Sequence, residues 1–295
     1  MKRILAAFCV LASLSLVLGL GPASDAAEPG RLKVVASIFP LREFAKEVAG
    51  GRAEVSLFLP PGAEIHNWQP SARQVLNLGR AGLFIFIGAR LEPWAEEIAR
   101  QRLRSGLKVL EASRGAKLLG NDPHLWLDFD QDRAIVERIR ESLIELDPEG
   151  ADVYRRNASA FLEKLGRMDE KYRSALSTCG GRTLVLGGHA AFGYLAARYG
   201  LTQVSLYGLS PDSEPTPRHL LDVAGTIKDH DIRAVFFESA VNPKLARRLA
   251  EETGVEALPL NDGTDISAEQ LAAGRTFLDI MDDNLKSLKH GLRCR

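Results

Sequence analysis

The most chemically distinctive stretch of this sequence is a histidine placed between two carboxylates. Residues Asp122 to Asp128 read Asp-Pro-His-Leu-Trp-Leu-Asp, so His124 follows a proline and precedes an apolar run. Proline fixes the backbone that leads to the histidine, and a neighbouring carboxylate such as Asp122 can orient an imidazole. This arrangement suits a metal ligand. A half-buried histidine in a tight turn would give the same pattern, so the stretch alone leaves both interpretations open.

Two further histidines and a carboxylate stand in comparable places. His66, His189 and Asp262 each come after an apolar run that predicts a strand, and His124 follows such a run after a longer excursion. In open α/β sheets, ligands bind beyond the carboxyl ends of the strands. The four side chains therefore occupy the same kind of sheet edge, two in each half of the chain. If the two halves face each other across these edges, the four side chains come together at one site.

Three imidazoles and one carboxylate favour Zn²⁺ in a four-coordinate site. Harder cations such as Ca²⁺ and Mg²⁺ take mostly oxygen ligands. Mn²⁺ remains an alternative ion for this site, because preference among divalent metals depends on geometry and supply as well as affinity.

The remaining histidines lie elsewhere: His219 and His230 on or at the end of one predicted helix, and His290 in a charged tail. We interpret these three as solvated or capping residues.

The elements that must position the four residues alternate between strands and helices. In the first half, the patterns predict strands at 32–38, 53–59, 83–87 and 108–110 and helices at 41–48, 71–78 and from residue 93. In the second half, they predict strands at 183–186, 202–206, 234–237 and 256–260 and helices at 191–199, 217–228, 243–252 and 273–288. Such alternation predicts parallel sheets with helices on their faces.

Between the halves the strand signal vanishes. A helix is predicted from Gln131 to Leu146, and a second from about Gly150 to Leu176, where apolar residues recur at helical spacing. About 27 residues of helix would span roughly 40 Å, which suits a connector. The predicted fold is α/β, with two lobes, each a mainly parallel sheet flanked by helices, joined by one long rigid helix. Its predicted parts are an N-terminal lobe at 31–147, a linking helix at 148–178 and a C-terminal lobe at 180–295.

The N-terminus is typical of a secretory signal peptide. Residues 1–26 contain two basic residues, an apolar run and then small residues. Cys9 lies in that run after a phenylalanine, a poor context for lipid attachment, so we expect a cleaved and exported protein.

The whole sequence has 38 basic and 38 acidic residues, and this balance makes nucleic acid an unexpected partner. Cys179 and Cys294 would remain after cleavage, and an oxidising compartment favours a disulfide between them over two free thiols.

Several segments together resemble one family. They lie at residues 66–71, 122–126, 188–194, 214–217, 236–238 and 260–263. In this order they look like the zinc/manganese solute-binding proteins of bacterial ABC transporters, and the likeness covers nearly all of the chain after the signal. The resemblance implies two α/β lobes joined by a long rigid helix, with a metal ion held between them for delivery to a membrane permease.

The resemblance also implies roles for particular residues. His66, His124 and His189 match the family's first three ligands, and Asp262 matches its fourth, acidic ligand. Manganese-selective members often have glutamate at the third position, so His189 favours zinc. Glu238 is expected to support a ligand from outside the metal's own coordination shell.

The leading hypothesis is a periplasmic, monomeric solute-binding protein, not an enzyme, that captures Zn²⁺ and delivers it to the permease. A manganese-binding member of the same family is one alternative. A zinc-dependent hydrolase with Glu238 as base is another, but Asp262 fills the coordination position that catalytic zinc keeps open.

The sequence departs from the family in two ways: it has no histidine-rich acidic loop before Asp122, and Trp68 stands where tyrosine is common. Since a long helix resists hinge closure, release is expected to involve small lobe motions and movement of the loop around Asp262.

Overall fold

Strands and helices alternate along two halves of the chain, as the sequence predicts. A computed structural model describes residues 31–101, 106–212, 215–238 and 243–295. The predicted signal peptide at 1–26 and the family motif residue Glu214 lie outside these residues. Residues 31–295 form one compact unit. Within the described ranges, no helix combines the length and the apolar character that crossing a bilayer requires.

The first lobe is built on a four-stranded parallel sheet. Its elements are β1 (Leu32–Ala36), α1 (Phe39–Ala49), β2 (Ala53–Leu57), α2 (Ala72–Leu78), β3 (Leu83–Phe86), α3 (Pro93–Gln101) and β4 (Lys108–Glu111). The strand order is β2-β1-β3-β4, and all neighbours are parallel. Every residue of β3, Leu-Phe-Ile-Phe, is buried. A continuous apolar run of this kind is typical of a parallel strand covered on both faces.

Two consecutive helices follow the first sheet. They are α4 (Phe129–Leu146) and α5 (Ala151–Ser177). Asp128 caps α4 by accepting a hydrogen bond from the backbone N–H of Asp130. The 27 residues of α5 give a rod of about 40 Å, and the predicted long connecting helix is confirmed.

The second lobe repeats the architecture of the first. Its elements are β5 (Thr183–Leu186), α6 (Gly193–Tyr199), β6 (Thr202–Ser205), α7 (Pro217–Asp229), β7 (Ala234–Phe237), α8 (Lys244–Thr253), β8 (Glu256–Pro259), α9 (Ala268–Ala272) and α10 (Phe277–Gly291). The strand order is β6-β5-β7-β8, again parallel throughout. The prediction of two parallel-sheet lobes flanked by helices is confirmed.

Some predicted element boundaries are wrong. The closing helix was expected from 273 but begins at Phe277, because Thr276 and Asp279 form a reciprocal capping box at that point. The apolar helical face predicted over 41–48 lies within α1, which begins at Phe39 because Pro40 fits the first turn of a helix, where its missing N–H costs nothing. Caps thus decide where each apolar pattern becomes helical.

One hydrophobic core joins the two lobes. Phe44 on α1 packs against Phe161 on α5, with ring centroids 5.7 Å apart. The same Phe44 packs edge-on against Phe277 on α10, at 5.2 Å. A first-lobe helix, the connecting helix and a second-lobe helix therefore share one aromatic cluster, which holds the lobes in register.

A disulfide joins Cys179 to Cys294, so the predicted pairing is confirmed. Cys179 follows α5 and Cys294 follows α10, and the two residues also form an isolated backbone bridge. The bond fastens the C-terminal tail to the end of the connecting helix.

A charged cluster also ties α6 to the elements around it. The Arg198 guanidinium donates hydrogen bonds to Asp128 at 2.8 Å and Asp130 at 2.7 Å, at the start of α4. It also donates to both carboxylate oxygens of Asp169 on α5, at 2.8 and 2.7 Å. Burial alone would raise the pKa of Asp169, but hydrogen bonds from Arg198 and Tyr199 outweigh it and lower the pKa to about 2.

We expect Arg198→Met to lower the free energy of unfolding of the metal-free protein at pH 7 by about 1–2 kcal/mol, since solvent screens part of the interaction with the partly exposed Asp169. The carboxylate of Asp169 contributes stability above its unfolded-state pKa of 3.8, and that contribution is lost as pH falls through about 2. The difference between variant and wild type should therefore shrink over this acid range. Urea unfolding at several pH values measures it. The matched control is Arg155→Met, which removes a partner from the exposed pair with Asp152; an equal loss there would contradict the prediction.

Candidate metal centre

His189 and Asp262 come three residues after β5 and β8, whereas His66 and His124 lie on longer segments that follow β2 and β4. The ligand atoms of His66, His124 and His189 all lie within 4.8 Å of one another. His189 also belongs to a second group at the same spacing, with Glu238 and Asp262. The first group draws on both lobes, and the second extends it into the second lobe. Asp262 thus adjoins His189 and is not grouped at this distance with the other two histidines.

The three imidazoles bring their Nε2 atoms close to one another. Nε2 of His124 lies 3.2 Å from Nε2 of His66 and 3.2 Å from Nε2 of His189. Two nitrogen ligands at about 2.0–2.1 Å from a tetrahedral zinc ion are about 3.3 Å apart. The two spacings measured from His124 therefore fit nitrogen ligands of a single ion, and all three histidines offer ligand atoms within 4.8 Å of one another.

His124 is the most constrained of the three. It is fully buried, and its Nδ1 lies 2.7 Å from Oδ1 of Asp122. The same oxygen accepts the backbone N–H of His124 at 2.9 Å. With its Nδ1 proton donated to Asp122, the ring presents an unprotonated Nε2 to the cluster. A carboxylate in this position fixes the tautomer and the ring orientation of a metal-binding histidine.

His189 has a carboxylate partner from its own lobe. Its Nδ1 lies 3.0 Å from Oε2 of Glu238, at ion-pair distance but without the alignment of a hydrogen bond. Glu238 follows β7 and is buried. Its other oxygen packs against Gly188, where an added Cβ would come within 2.5 Å. The glycine before His189 therefore makes room for the carboxylate that faces the imidazole.

His66 lies on the loop after β2 and is partly buried. Its backbone N–H donates to Oε1 of Glu64 at 3.1 Å. Glu64 did not stand out in the sequence, yet its charge interacts with Asp262 and His189. It adds a fourth carboxylate, beside Asp122, Glu238 and Asp262, to the surroundings of the histidines.

Asp262 is held by its own loop. The hydroxyl of Thr264 lies within hydrogen-bond distance of both carboxylate oxygens of Asp262, at 2.9 and 2.8 Å, and the Thr264 backbone N–H donates at 2.8 Å. The backbone of the preceding Asn261 is fastened to Asn284 on α10 by two hydrogen bonds. The carboxylate is therefore buried and pre-positioned beside His189.

The electrostatics of the cluster favour a cation. Burial, followed by the neighbouring imidazoles, lowers the pKa of His66 to about 3, and burial also lowers the pKa of His124. For His189, burial acts in the same direction, but the carboxylates of Glu238, Asp262 and Glu64 outweigh it and raise its pKa to about 9. At neutral pH two imidazoles are thus neutral and ready to bind. The third lies at ion-pair distance from Glu238, whose own pKa burial raises to about 7.

The other histidines lie apart from this centre. His219 on α7 is exposed and its ring faces the backbone oxygen of Ser205 at 2.9 Å. His230 is the C-cap residue of α7, and His290 is an exposed partner of Glu256 at 2.7 Å. These positions agree with the solvated or capping roles expected from the sequence.

We expect Asp122→Ala to weaken zinc binding by about 10–100-fold, because this change frees the ring of His124 without removing a ligand. Competition titration against a chelator of known affinity measures the loss. The matched control is Asp152→Ala, which removes an exposed carboxylate from α5 and should leave affinity unchanged. Unaltered affinity in Asp122→Ala would contradict the orienting role.

Comparison with known proteins gives a consistent result. Residues 34–291 match the family described as "Zinc-uptake complex component A periplasmic". "Zinc-binding lipoprotein AdcA" of Streptococcus pneumoniae is 32% identical over 299 residues, which cover 95% of this chain and 60% of that protein. The chain thus spans about 60% of the length of this relative. "High-affinity zinc uptake system protein ZnuA" of Bacillus subtilis is 30% identical, with 89% of this chain and 88% of that protein covered.

The fold is also found in solved structures. The Zn(II)-bound ZnuA-like domain of Streptococcus pneumoniae AdcA superposes with a TM-score of 0.80 at 34% identity. The match covers 89% of this chain and 99% of that domain. The two-lobed α/β architecture is therefore shared with that domain.

Proposed function

Because this chain belongs to the family of periplasmic zinc-uptake complex component A, we propose that it is an extracytoplasmic solute-binding protein that captures Zn²⁺ and delivers it to the permease of an ABC transporter. The observation that carries the proposal is the grouping of three histidines from two lobes, in which Nε2 of His124 lies 3.2 Å from Nε2 of each of the other two. The zinc-binding names of the AdcA and ZnuA relatives support zinc as the cargo.

The proposed ligands are His66, His124 and His189, with Asp262 as the fourth. Asp262 lies in the group that includes His189, so it can join the ion through a small movement of its loop. A shell filled by four protein ligands retains a cargo ion and leaves no open position for a hydrolytic water. The proposed role is therefore binding and transfer, without catalysis.

We propose that each predicted lobe supplies two of the four ligands. The lobe at 31–147 supplies His66 and His124, and the lobe at 180–295 supplies His189 and Asp262. The connecting helix at 148–178 keeps the two sets in register. We further propose that residues 1–26 direct export and are removed, that the mature protein is periplasmic, and that it binds the permease as a monomer.

The test is metal binding by protein freed of metal and titrated with Zn²⁺ in competition with a chelator. The expected result is one ion per chain with a dissociation constant near the nanomolar range, about −12 kcal/mol of binding free energy. Zn²⁺ should displace Mn²⁺ in a competition experiment. Binding of Zn²⁺ no tighter than micromolar, or displacement of Zn²⁺ by equimolar Mn²⁺, would contradict zinc as the cargo.

A further inference from the structure

We infer that Trp126 and Tyr194 are positioning residues that slow zinc release, because each reaches across from its own lobe and holds the ligand-bearing loop of the other. The inference rests on the proposed function. It concerns two hydrogen bonds, from Trp126 to Asp262 and from Tyr194 to Asp122, which we call the cross-lobe hydrogen bonds.

The first cross-lobe hydrogen bond starts in the first lobe. Trp126 lies in a short 3₁₀ helix (Leu125–Leu127) directly after His124 and is fully buried. Its indole N–H donates to the backbone oxygen of Asp262 at 2.6 Å. Its ring also packs edge-on against the ring of His124, with centroids 5.3 Å apart. One side chain thus touches a histidine of the first lobe and the Asp262 loop of the second.

The second cross-lobe hydrogen bond runs the opposite way. Tyr194 lies on α6 in the second lobe, and its hydroxyl donates to the backbone oxygen of Asp122 at 3.2 Å. The same hydroxyl accepts the backbone N–H of Leu119 at 2.9 Å. The neighbouring Gly193 lies so close that an added Cβ would come within 2.4 Å of Oδ2 of Asp122. The segment that leads to His124 is therefore pinned against the second lobe at two points.

The two hydrogen bonds have a shared consequence for release. Asp262 is a proposed ligand, and Asp122 orients the proposed ligand His124. Freeing the ion requires one of these loops to move away from its partners. Since both contacts are buried, each must break without immediate replacement by water, which makes an intact contact costly to lose. The aromatic core around α5 keeps the lobes together. The cross-lobe hydrogen bonds therefore resist movement of the ligand-bearing loops rather than separation of the lobes.

The experiment measures the zinc dissociation rate by mixing the loaded full-length mature protein with excess chelator. We expect Trp126→Phe and Tyr194→Phe each to release Zn²⁺ about tenfold faster, equivalent to about 1.4 kcal/mol. Stoichiometry should stay at one ion per chain, because no ligand is removed. The unfolding temperature of each metal-free variant is measured in parallel.

Two control variants separate positioning from general loosening. Trp94→Phe removes a buried indole N–H that has no hydrogen-bond partner among the described residues. Tyr172→Phe removes a buried hydroxyl that donates to the backbone oxygen of Met281 at 2.6 Å, in the contact between α5 and α10. Both should lower the unfolding temperature to some degree and leave the dissociation rate at the wild-type value.

The inference is overturned if Trp126→Phe and Tyr194→Phe release Zn²⁺ at the wild-type rate, or if Tyr172→Phe accelerates release equally. Should Trp126→Phe fail to fold, Tyr194→Phe alone carries the same expectation. If the wild-type protein itself does not bind Zn²⁺ tightly, the proposed function fails. Tight wild-type binding with unchanged variant rates overturns only the positioning role.

Discussion

Replacing His124 with alanine should raise the dissociation constant for Zn²⁺ by more than about 100-fold. Loss of a residue that merely orients a ligand costs about 10–100-fold, and His124 is proposed to supply a ligand nitrogen itself. It is also the histidine whose Nε2 lies 3.2 Å from both of the others. Its removal would leave only two imidazole nitrogens to bind the ion. Isothermal titration of metal-free protein, in competition with a chelator, measures the change.

The matched control is His290→Ala. His290 is exposed, pairs with Glu256 and lies outside the metal centre, so its removal should leave both affinity and stoichiometry unaltered. His66→Ala and His189→Ala should resemble His124→Ala. Near-wild-type affinity in any of the three would remove that histidine from the ligand set.

The second large effect concerns stability. Replacing both Cys179 and Cys294 with serine should lower the free energy of unfolding by about 2–5 kcal/mol. The bond closes a segment with a sequence separation of 115 residues, and loops of about 100 residues give about 4.7 kcal/mol in the chain-entropy description. Urea unfolding of the metal-free proteins measures the loss.

Reduction provides the control for this variant. Wild-type protein treated with a reductant should unfold at the same urea concentration as the double variant, and reductant should not change the variant. Zinc stoichiometry should stay at one, since the bond lies at the ends of α5 and α10 and involves none of the three histidines of the metal centre. A double variant as stable as the oxidised wild type would show that the bond contributes nothing to stability.

Much of the architecture could be predicted because parallel strands carry a strong signal. Buried runs such as that of β3 are apolar throughout. Apolar residues recur at helical spacing along all 27 residues of α5. Boundaries were less predictable. Where α10 begins depends on the capping box of Thr276 and Asp279, which the apolar pattern does not record.

The candidate site likewise has parts that the sequence predicts and parts that it does not. His66, His124 and His189 could be found because each follows a strand, and strand ends converge at one edge of a parallel sheet. Glu64 was missed, although a signal for it was present. It stands two residues before His66, as Asp122 stands two residues before His124, and each carboxylate accepts the backbone N–H of its histidine. The repeated acidic-x-His spacing could have identified it.

The cross-lobe hydrogen bonds could not have been found from the sequence. Trp126 and Asp262 are 136 positions apart, and Tyr194 and Asp122 are 72 apart. Contacts over such separations depend on how the two lobes pack against α5, and no local spacing encodes that. The sequence indicated which residues can bind a metal, whereas the packing determines which residues hold them in place.

X-ray absorption spectroscopy at the zinc edge of the loaded protein tests the central claim most directly. We predict one four-coordinate ion with three imidazole nitrogens at about 2.0–2.1 Å and one oxygen ligand. The multiple-scattering signal of imidazole should fall by one ring in His124→Ala and stay unchanged in His290→Ala. A zinc environment with fewer than three imidazoles in the wild-type protein, or one that does not respond to His124→Ala, would contradict the proposed site.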